Sequence, residues 1–236
     1  MDPLSLKTLN KERRARRAAI LITELEGGAN RIVREGDAVS GELGEAVGKA
    51  FRTGISKTVA VNGAGYFLNV SLPSPRLVVV GAVHISQALA PMAKVAGFDM
   101  EIIDPRTAFA TAERFPDVPL HADWPEPVLA ARPLDAYTAL CAVTHDPKID
   151  DFALKAALDA GCFYVGALGS RKTHAARVQR LREAGAGEEQ VARLHAPIGL
   201  DIGATSPQEI AVAILAQVIQ VFRSRGLGGV EKGRAA

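Results

Sequence analysis

The sequence predicts an α/β fold, a doubly wound parallel sheet with helices on both faces, preceded by a small mixed α+β subdomain. Residues 77–80 form an unbroken apolar run, LVVV, which is typical of a strand buried on both faces. Apolar residues at helical spacing follow over 85–96, Gly97 ends that helix, and residues 98–103 form a second strand. Strands and helices then alternate along the chain, which favours a parallel sheet. The unit at 76–106 is therefore Rossmann-like.

The segment before the break at Pro73-Ser74-Pro75 has a different pattern. It begins with a basic helical stretch and continues with short strand candidates at 19–24, 30–34, 58–61 and 66–71, with a short helix predicted at 42–51. We therefore assign residues 1–75 to a basic helix and a small mixed sheet. Residues 76–225 form the Rossmann-like domain, and 226–236 a flexible tail.

Composition narrows the class of protein. The 236 residues carry a net charge of +2, and 48% of them are hydrophobic, as expected of a globular protein. No apolar run is long enough to span a bilayer, and the N-terminus lacks the apolar core of a signal peptide. We expect a cytoplasmic protein without a membrane or nucleic-acid partner. The two cysteines, Cys141 and Cys162, lie in or beside apolar runs without metal-ligand spacing, and we predict reduced core thiols.

The turn after the first parallel strand gives two opposing indications about dinucleotides. A dinucleotide fingerprint requires G-x-G-x-x-G, and the chain has Gly81, Val83 and Ser86 at the three glycine positions. The isopropyl group of Val83 would occupy the space through which a pyrophosphate approaches the backbone. Asp104, about 20 residues later, stands where an acidic side chain accepts hydrogen bonds from a ribose diol. Binding of NAD or NADP is therefore left open.

Several polar stretches follow predicted strands, at the edge where doubly wound sheets bind ligands. The stretch around Gly169-Ser170-Arg171 begins a basic helix and resembles an anion cradle suited to a phosphate, although an ordinary tight turn would have the same residues. His145 and Asp146 form either an acid–base pair or a positioning and capping pair. Asp201, between two glycines, lies in a loop that either approaches a ligand or is only a structural turn. The sequence has no Gly-x-Ser-x-Gly elbow.

Five segments together resemble a known family. In order and at similar intervals, GAVHISQALAPMA, IIDPR, VTHD, YVGALGSRKTHAARVQRL and HAPIGLDIGATSPQEIAVAILAQV are similar to the Rossmann domain of the XdhC/CoxI family. The similarity runs from Arg76 to about Phe222. Members of that family are accessory proteins for molybdenum hydroxylases. The resemblance implies that the protein binds the molybdenum cofactor (molybdopterin) and supports its sulfuration by a cysteine desulfurase. It also implies insertion of the cofactor into an apo-molybdoenzyme of the xanthine dehydrogenase class.

The chain departs from the family pattern at two places. The family turn is usually Gly-Ala-Gly-His, and Val83 replaces its second glycine. Longer members carry an N-terminal loop rich in glycine and cysteine, to which residues 40–44 correspond only faintly and without a cysteine. The subdomain at 1–75 is thus a degenerate version of the family's N-terminal part. Whatever that loop does is either missing here or supplied by another chain.

Three functional hypotheses follow. The first is a molybdenum cofactor chaperone for xanthine dehydrogenase-type enzymes, and the alternative is an NAD(P)-dependent oxidoreductase. The third is a scaffold that docks a cysteine desulfurase to the dehydrogenase through the basic N-terminal helix. Whether the protein is an enzyme is left open, because no catalytic residue and no metal ligand is predicted. The sequence is compatible with a homodimer and does not decide the oligomeric state. The candidate cofactor-binding residues are Gly81, Ala82, Val83, His84, Asp104, Arg106, Thr144, His145, Asp146, Gly169, Ser170, Arg171 and Asp201.

Overall fold

The structure is a computed structural model that describes residues 3–224, apart from the side chain of Arg171. The described chain divides into two compact units, one of residues 74–222 and one that contains residues 3–73. The tail predicted at 226–236 lies outside the described residues. No helix among those described combines the length and apolar character needed to cross a bilayer.

The N-terminal unit is a four-stranded antiparallel sheet with two helices. Its elements are α1 (Pro3–Arg14), β1 (Ala19–Glu24), β2 (Asn30–Arg34), α2 (Gly41–Thr53), β3 (Lys57–Val61) and β4 (Ala64–Ser71). The strand order is β2-β1-β4-β3. The stretch at 40–44, compared above with a cysteine-containing loop, forms the N-cap and first turn of α2.

The second unit is a six-stranded parallel sheet, which confirms the predicted fold class. The strands are β5 (Arg76–Val80), β6 (Asp99–Ile103), β7 (Leu120–His121), β8 (Thr138–Ala142), β9 (Tyr164–Ala167) and β10 (Leu194–His195). Six helices connect or follow them: α3 (His84–Val95), α4 (Pro125–Ala131), α5 (Pro147–Asp159), α6 (Arg171–Glu183), α7 (Glu188–Ala192) and α8 (Pro207–Ser224). The strand order is β10-β9-β8-β5-β6-β7.

Two apolar cores lie on opposite faces of this sheet. Alternate residues of β5 explain why, since Leu77 and Val79 join the cluster that includes residues of α3 and α8, whereas Val78 and Val80 join the cluster that includes residues of α5. All five residues of β5 are buried, as the apolar run predicts. Both cysteines are free and buried, as expected from the sequence.

The sheet order creates a switch point beside β5. The next strands in the chain, β6 and β7, lie on one side of β5, and β8, β9 and β10 lie on the other. The loops that leave the carboxyl ends of β5 and β8 therefore lead to opposite sides. In doubly wound folds such a divergence opens a crevice in which ligands bind.

Candidate functional site

The turn after β5 presses against the end of β8. Gly81 has φ +127°, and a Cβ atom there would lie 3.0 Å from Cγ2 of Val143 and 3.1 Å from Cγ2 of Thr144. Only glycine fits both this backbone conformation and this space. The Gly81 carbonyl accepts a 2.5 Å hydrogen bond from the buried Ser86 hydroxyl. The turn at Gly81 and the stretch that begins at Thr144 therefore meet at the switch point.

Asp104, after β6, is fully occupied by internal hydrogen bonds. Its Oδ2 accepts from the Ala82 N–H at 2.7 Å and from Nη2 of Arg106 at 2.7 Å. Its Oδ1 accepts from the backbone N–H and Nε of Arg106, both at 2.9 Å. Burial by itself raises the pKa of this carboxyl, but the bonds from Arg106 and Ala82 outweigh it, so the pKa is lowered.

This arrangement differs from the ribose contact expected at Asp104. A carboxylate has about four acceptor sites, and here four donors fill them. The side chain is also fully buried. Asp104 therefore links the β5 turn to the loop after β6 through hydrogen bonds. It has no acceptor site left for a diol.

Arg106 lies on the loop after β6, at the carboxyl end of the parallel sheet. Its guanidinium lies 4.7 Å from the centre of the Phe109 ring, and its side chain is 32% exposed. The hydrogen bonds with Asp104 raise the pKa of Arg106, and the nearby carboxylates of Asp150 and Asp146 raise it further. Arg106 is thus a partly accessible positive charge that lies near the loop after β8.

A second arginine, Arg114, stabilises the segment that follows Arg106. It was not identified from the sequence. Nη1 of Arg114 donates to the carbonyls of Ala82 at 2.9 Å and Phe109 at 2.8 Å, and Nη2 donates to Oε1 of Gln87 at 3.0 Å. The segment after Arg106 is thereby fastened to the turn after β5 and to α3.

The loop after β8 is organised by Thr144. Its hydroxyl donates to Oδ1 of Asp150 at 2.7 Å and accepts the Asp146 N–H at 3.0 Å. His145 between them is exposed and has φ +66°. The Asp146 carboxylate accepts the Lys148 N–H at 3.0 Å and so caps α5. Capping was one of the two alternatives stated for the His145–Asp146 pair, and the Asp146 carboxylate has this role in the structure.

Asp150 lies beneath this loop and is 1% exposed. Burial raises its pKa to about 6, although the Thr144 hydroxyl and the positive charge of Arg177 act in the opposite direction. Among the described residues, its Oδ2 atom has no hydrogen-bond partner. A buried carboxylate oxygen without a hydrogen-bond partner is costly, so Asp150 is a candidate functional residue of this edge.

The turn after β9 leads into α6. Gly169 has φ +140°, and Ser170 caps the helix by accepting the Thr173 N–H at 3.3 Å. Within residues 3–224, the N–H groups of Gly169 and Ser170 donate to no protein acceptor. Arg171 is the first residue of α6. Unpaired N–H groups and the positive end of a helix together favour an anion.

These elements form a continuous polar edge from β6 to β9. Among the described residues, no group of three or more His, Cys, Asp or Glu side chains could hold a metal ion. The residues linked by contacts or close charges along this edge are, in order, Ala82, Asp104, Arg106, Asp146, Thr144, Asp150, Arg177 and Leu168.

The family model described as the XdhC Rossmann domain matches residues 77–218, which covers the whole of this polar edge. The chain belongs to the XdhC family. The resemblance stated from the sequence is confirmed.

Two curated relatives of this XdhC protein are longer than it is. The chain is 35% identical to the uncharacterized protein YqeB of Escherichia coli over 70% of its own length and 30% of YqeB. It is 32% identical to the molybdenum cofactor insertion chaperone PaoD of Escherichia coli over 63% of its own length and 41% of PaoD. The chain thus spans less than half the length of these curated relatives.

A solved structure supports the same fold. A crystal structure of a xanthine dehydrogenase from Bacillus halodurans superposes on 97% of the chain and 66% of that protein, with a TM-score of 0.64 and 24% identity. At this identity the likeness concerns the fold alone.

Three of the predicted site residues lie at the margins of the polar edge of this XdhC protein. Val83 is the N-cap of α3, and His84 begins that helix and is exposed. Asp201 is exposed on the loop after β10, which is attached to α8 by a bond from the Gly199 N–H to Oε1 of Gln217. Among the described contacts, none joins Asp201 to the other candidate residues.

Besides Arg114, Asp150 and Arg177 also lie at this edge and were not identified from the sequence. Each lies on the buried side of its helix, Asp150 beside Ile149 on α5 and Arg177 four residues before the buried Leu181 on α6. A charged residue on an apolar helical face was the available signal, because such a residue needs a buried partner or a ligand.

Proposed function

We propose that this XdhC protein binds the molybdenum cofactor and inserts it into a molybdoenzyme of the xanthine dehydrogenase class. The observation that carries the proposal is the polar edge at the switch point, where an anion cradle lies on the same edge as a partly exposed arginine. Its similarity to PaoD, which is named as a molybdenum cofactor insertion chaperone, supports the same conclusion.

The cradle suits the phosphate of molybdopterin. Gly169 and Ser170 leave two backbone N–H groups without a protein acceptor among the described residues, and α6 adds the positive end of a 13-residue helix. In our proposal the phosphate lies against Gly169, Ser170 and the backbone of Arg171. A Cβ atom at Gly169 would lie 2.9 Å from Oγ1 of Thr173, so a larger residue would distort the cradle.

The remaining candidate residues would form the walls around the pterin. Arg106 offers guanidinium donors to the polar pterin ring, and Asp104 holds Arg106 in place. Backbone groups at Gly81, Ala82, Val83 and His84 would line one wall, and Thr144, His145, Asp146 and Asp201 the other.

Sulfuration would depend on a second protein, a cysteine desulfurase. A cysteine that carries persulfide sulfur needs an accessible thiolate, because the thiolate is the nucleophile. Burial raises the pKa of Cys162 to about 12, and it raises that of Cys141 still further above its ordinary value. Both thiols are buried, so we propose that this protein holds the cofactor while another supplies the sulfur.

Retention of the pterin tests the proposal. Purified protein is mixed with molybdopterin released from a molybdoenzyme, passed through a desalting column, and assayed for bound pterin by fluorescence after oxidation. We expect stoichiometric retention, and transfer of activity to apo-enzyme of the xanthine dehydrogenase class. Retention no greater than that of an unrelated protein of similar net charge would refute the proposal. Gly169→Val serves as the matched site variant, and we expect it to lose retention.

A further inference from the structure

Arg177 is a buried cation immediately behind the turn that forms the cradle. It is 4% exposed, and its Nη2 donates to the Leu168 carbonyl at 2.8 Å. The same nitrogen lies 3.7 Å from the position that a Cβ atom of Gly169 would occupy. Among the described residues, its Nε and Nη1 atoms are buried without a hydrogen-bond partner. Arg177 takes no part in the hydrogen bonds of the β5 turn or of Asp104.

The bond to Leu168 has a stereochemical consequence for the cradle. In a planar trans peptide the C=O group and the following N–H group point in opposite directions. Because Arg177 holds the Leu168 carbonyl, the N–H of Gly169 points away from the guanidinium. This N–H is one of the two that lack a protein acceptor within residues 3–224. Arg177 thus orients a donor that the phosphate would use.

The charge of Arg177 is only incompletely balanced. Among the acidic residues, Asp150 on α5 has the largest electrostatic effect on Arg177, and its own Oδ2 is unpartnered among the described residues. The opposite charges of Asp150 and Arg177 attract each other. Among the described residues, however, no ion pair joins these two side chains, and Asp151 pairs with Arg180 instead. Burial lowers the pKa of Arg177, and the two acidic neighbours Asp150 and Asp151 oppose that effect. A buried cation without a bonded counter-ion creates a positive potential at the nearby turn.

We infer that Arg177 is a positioning residue of the anion cradle: it orients the Leu168–Gly169 peptide and supplies positive potential behind it, while Asp150 offsets that potential. This inference rests on the proposed function, because it takes the bound ligand to carry a phosphate group. Arg177 does not itself contact the ligand, since its guanidinium is buried. Its effect on affinity is exerted through the peptide it holds and through its charge.

Substitutions of the two charges separate an electrostatic role from a merely structural one. Removal of the positive charge by Arg177→Met should weaken the binding of inorganic phosphate, measured by calorimetry, about tenfold. Arg177→Lys keeps the charge and should recover most of the affinity. Asp150→Asn keeps an acceptor for the Thr144 hydroxyl but removes the negative charge, so it should tighten binding. Arg180→Met is the matched control on α6, because Arg180 pairs with Asp151, and it should leave the affinity unchanged.

The same variants are assayed with molybdopterin, and each is checked for folding by circular dichroism and thermal unfolding. If folded Arg177→Met binds phosphate like the wild type, or if Asp150→Asn weakens binding as well, the inference is overturned. If Arg177→Met does not fold, Asp150→Asn still decides, because the inference requires it to bind phosphate more tightly than the wild type, and unchanged or weaker binding would overturn it. If phosphate binding responds as expected but molybdopterin is not retained, the proposed function fails while the assignment of Arg177 stands.

Discussion

At the scale of single residues, Asp150 makes stability depend on pH. Its pKa is raised from 3.8 to about 6 by burial, so the folded protein keeps a proton that the unfolded chain releases. As pH rises through this interval, the free energy of unfolding should fall, by about 3 kcal/mol in total. The destabilisation is absent below pH 3.8 and complete above pH 6.

Denaturant unfolding of the wild type and of Asp150→Asn between pH 4 and pH 7.5 measures this effect. The difference between the two free energies of unfolding should shift in favour of the variant as pH rises, because the asparagine amide cannot ionise. Asp117→Asn, at an exposed position, is the control and should follow the wild type. Parallel curves for the wild type and Asp150→Asn would contradict the assignment.

Asp104 leads to a second expectation at this scale. Since its four acceptor sites are occupied by donors of Ala82 and Arg106, it cannot bind a ribose diol without losing some of these hydrogen bonds. Calorimetry with NADH and with NADPH should therefore detect no binding tighter than about 1 mM. Saturable micromolar binding of either nucleotide would revive the oxidoreductase hypothesis.

At the scale of elements, α1 is held by one buried carboxylate. Glu12 accepts from Nε of Arg17 at 2.5 Å and from Nη2 of Arg34, on β2, at 2.9 Å. Its side chain is fully buried, and beside it Leu9 is 1% exposed. The hydrogen bonds from Arg17 and Arg34 lower the pKa of Glu12 from 4.5 to about 2.

A lowered pKa means that this stabilisation is present above pH 4.5 and is lost as pH falls towards 2. Glu12→Gln should remove it at neutral pH, because the two arginines lose their charged partner. Hydrogen exchange should then show faster exchange of the amides of α1, with the sheet at 76–80 unaffected. Glu45→Gln, on the exposed side of α2, should exchange like the wild type. Unchanged protection of α1 in Glu12→Gln would show that Leu9 and its neighbours hold the helix unaided.

At the scale of the whole molecule, the candidate site belongs to one of the two compact units. The six parallel strands, both apolar cores and every candidate residue lie within 74–222. We expect a fragment of residues 74–224 to unfold cooperatively, since its sheet is covered on both faces by its own helices. We also expect it to retain molybdopterin with the affinity of the full chain. A folded fragment that fails to retain the pterin would show that residues 1–73 contribute to binding.

Much of the architecture could be predicted from local sequence. The run at 77–80, the helical spacing over 85–96 and the alternation that follows specify strand and helix types, because side-chain periodicity is a local property. The carboxyl ends of parallel strands meet at one edge, so the stretches around Gly81, Asp104, Thr144 and Gly169 could be assigned to one place. The family resemblance also followed from the order of motifs.

The partners at that edge were decided only by tertiary structure. Asp104 has the spacing of a ribose ligand, but the fold brings the Ala82 N–H, 22 residues away, to its Oδ2. Asp150 and Arg177 lie on different helices, and only the packing of α5 beside α6 places their charges close together. Local sequence was enough to predict most of the strands, their order along the chain and the edge at which we expect ligands to bind, but not the short strand β10 at Leu194–His195. The saturation of Asp104 and the buried charge behind the cradle depend on contacts between segments distant in the chain, which no local pattern encodes.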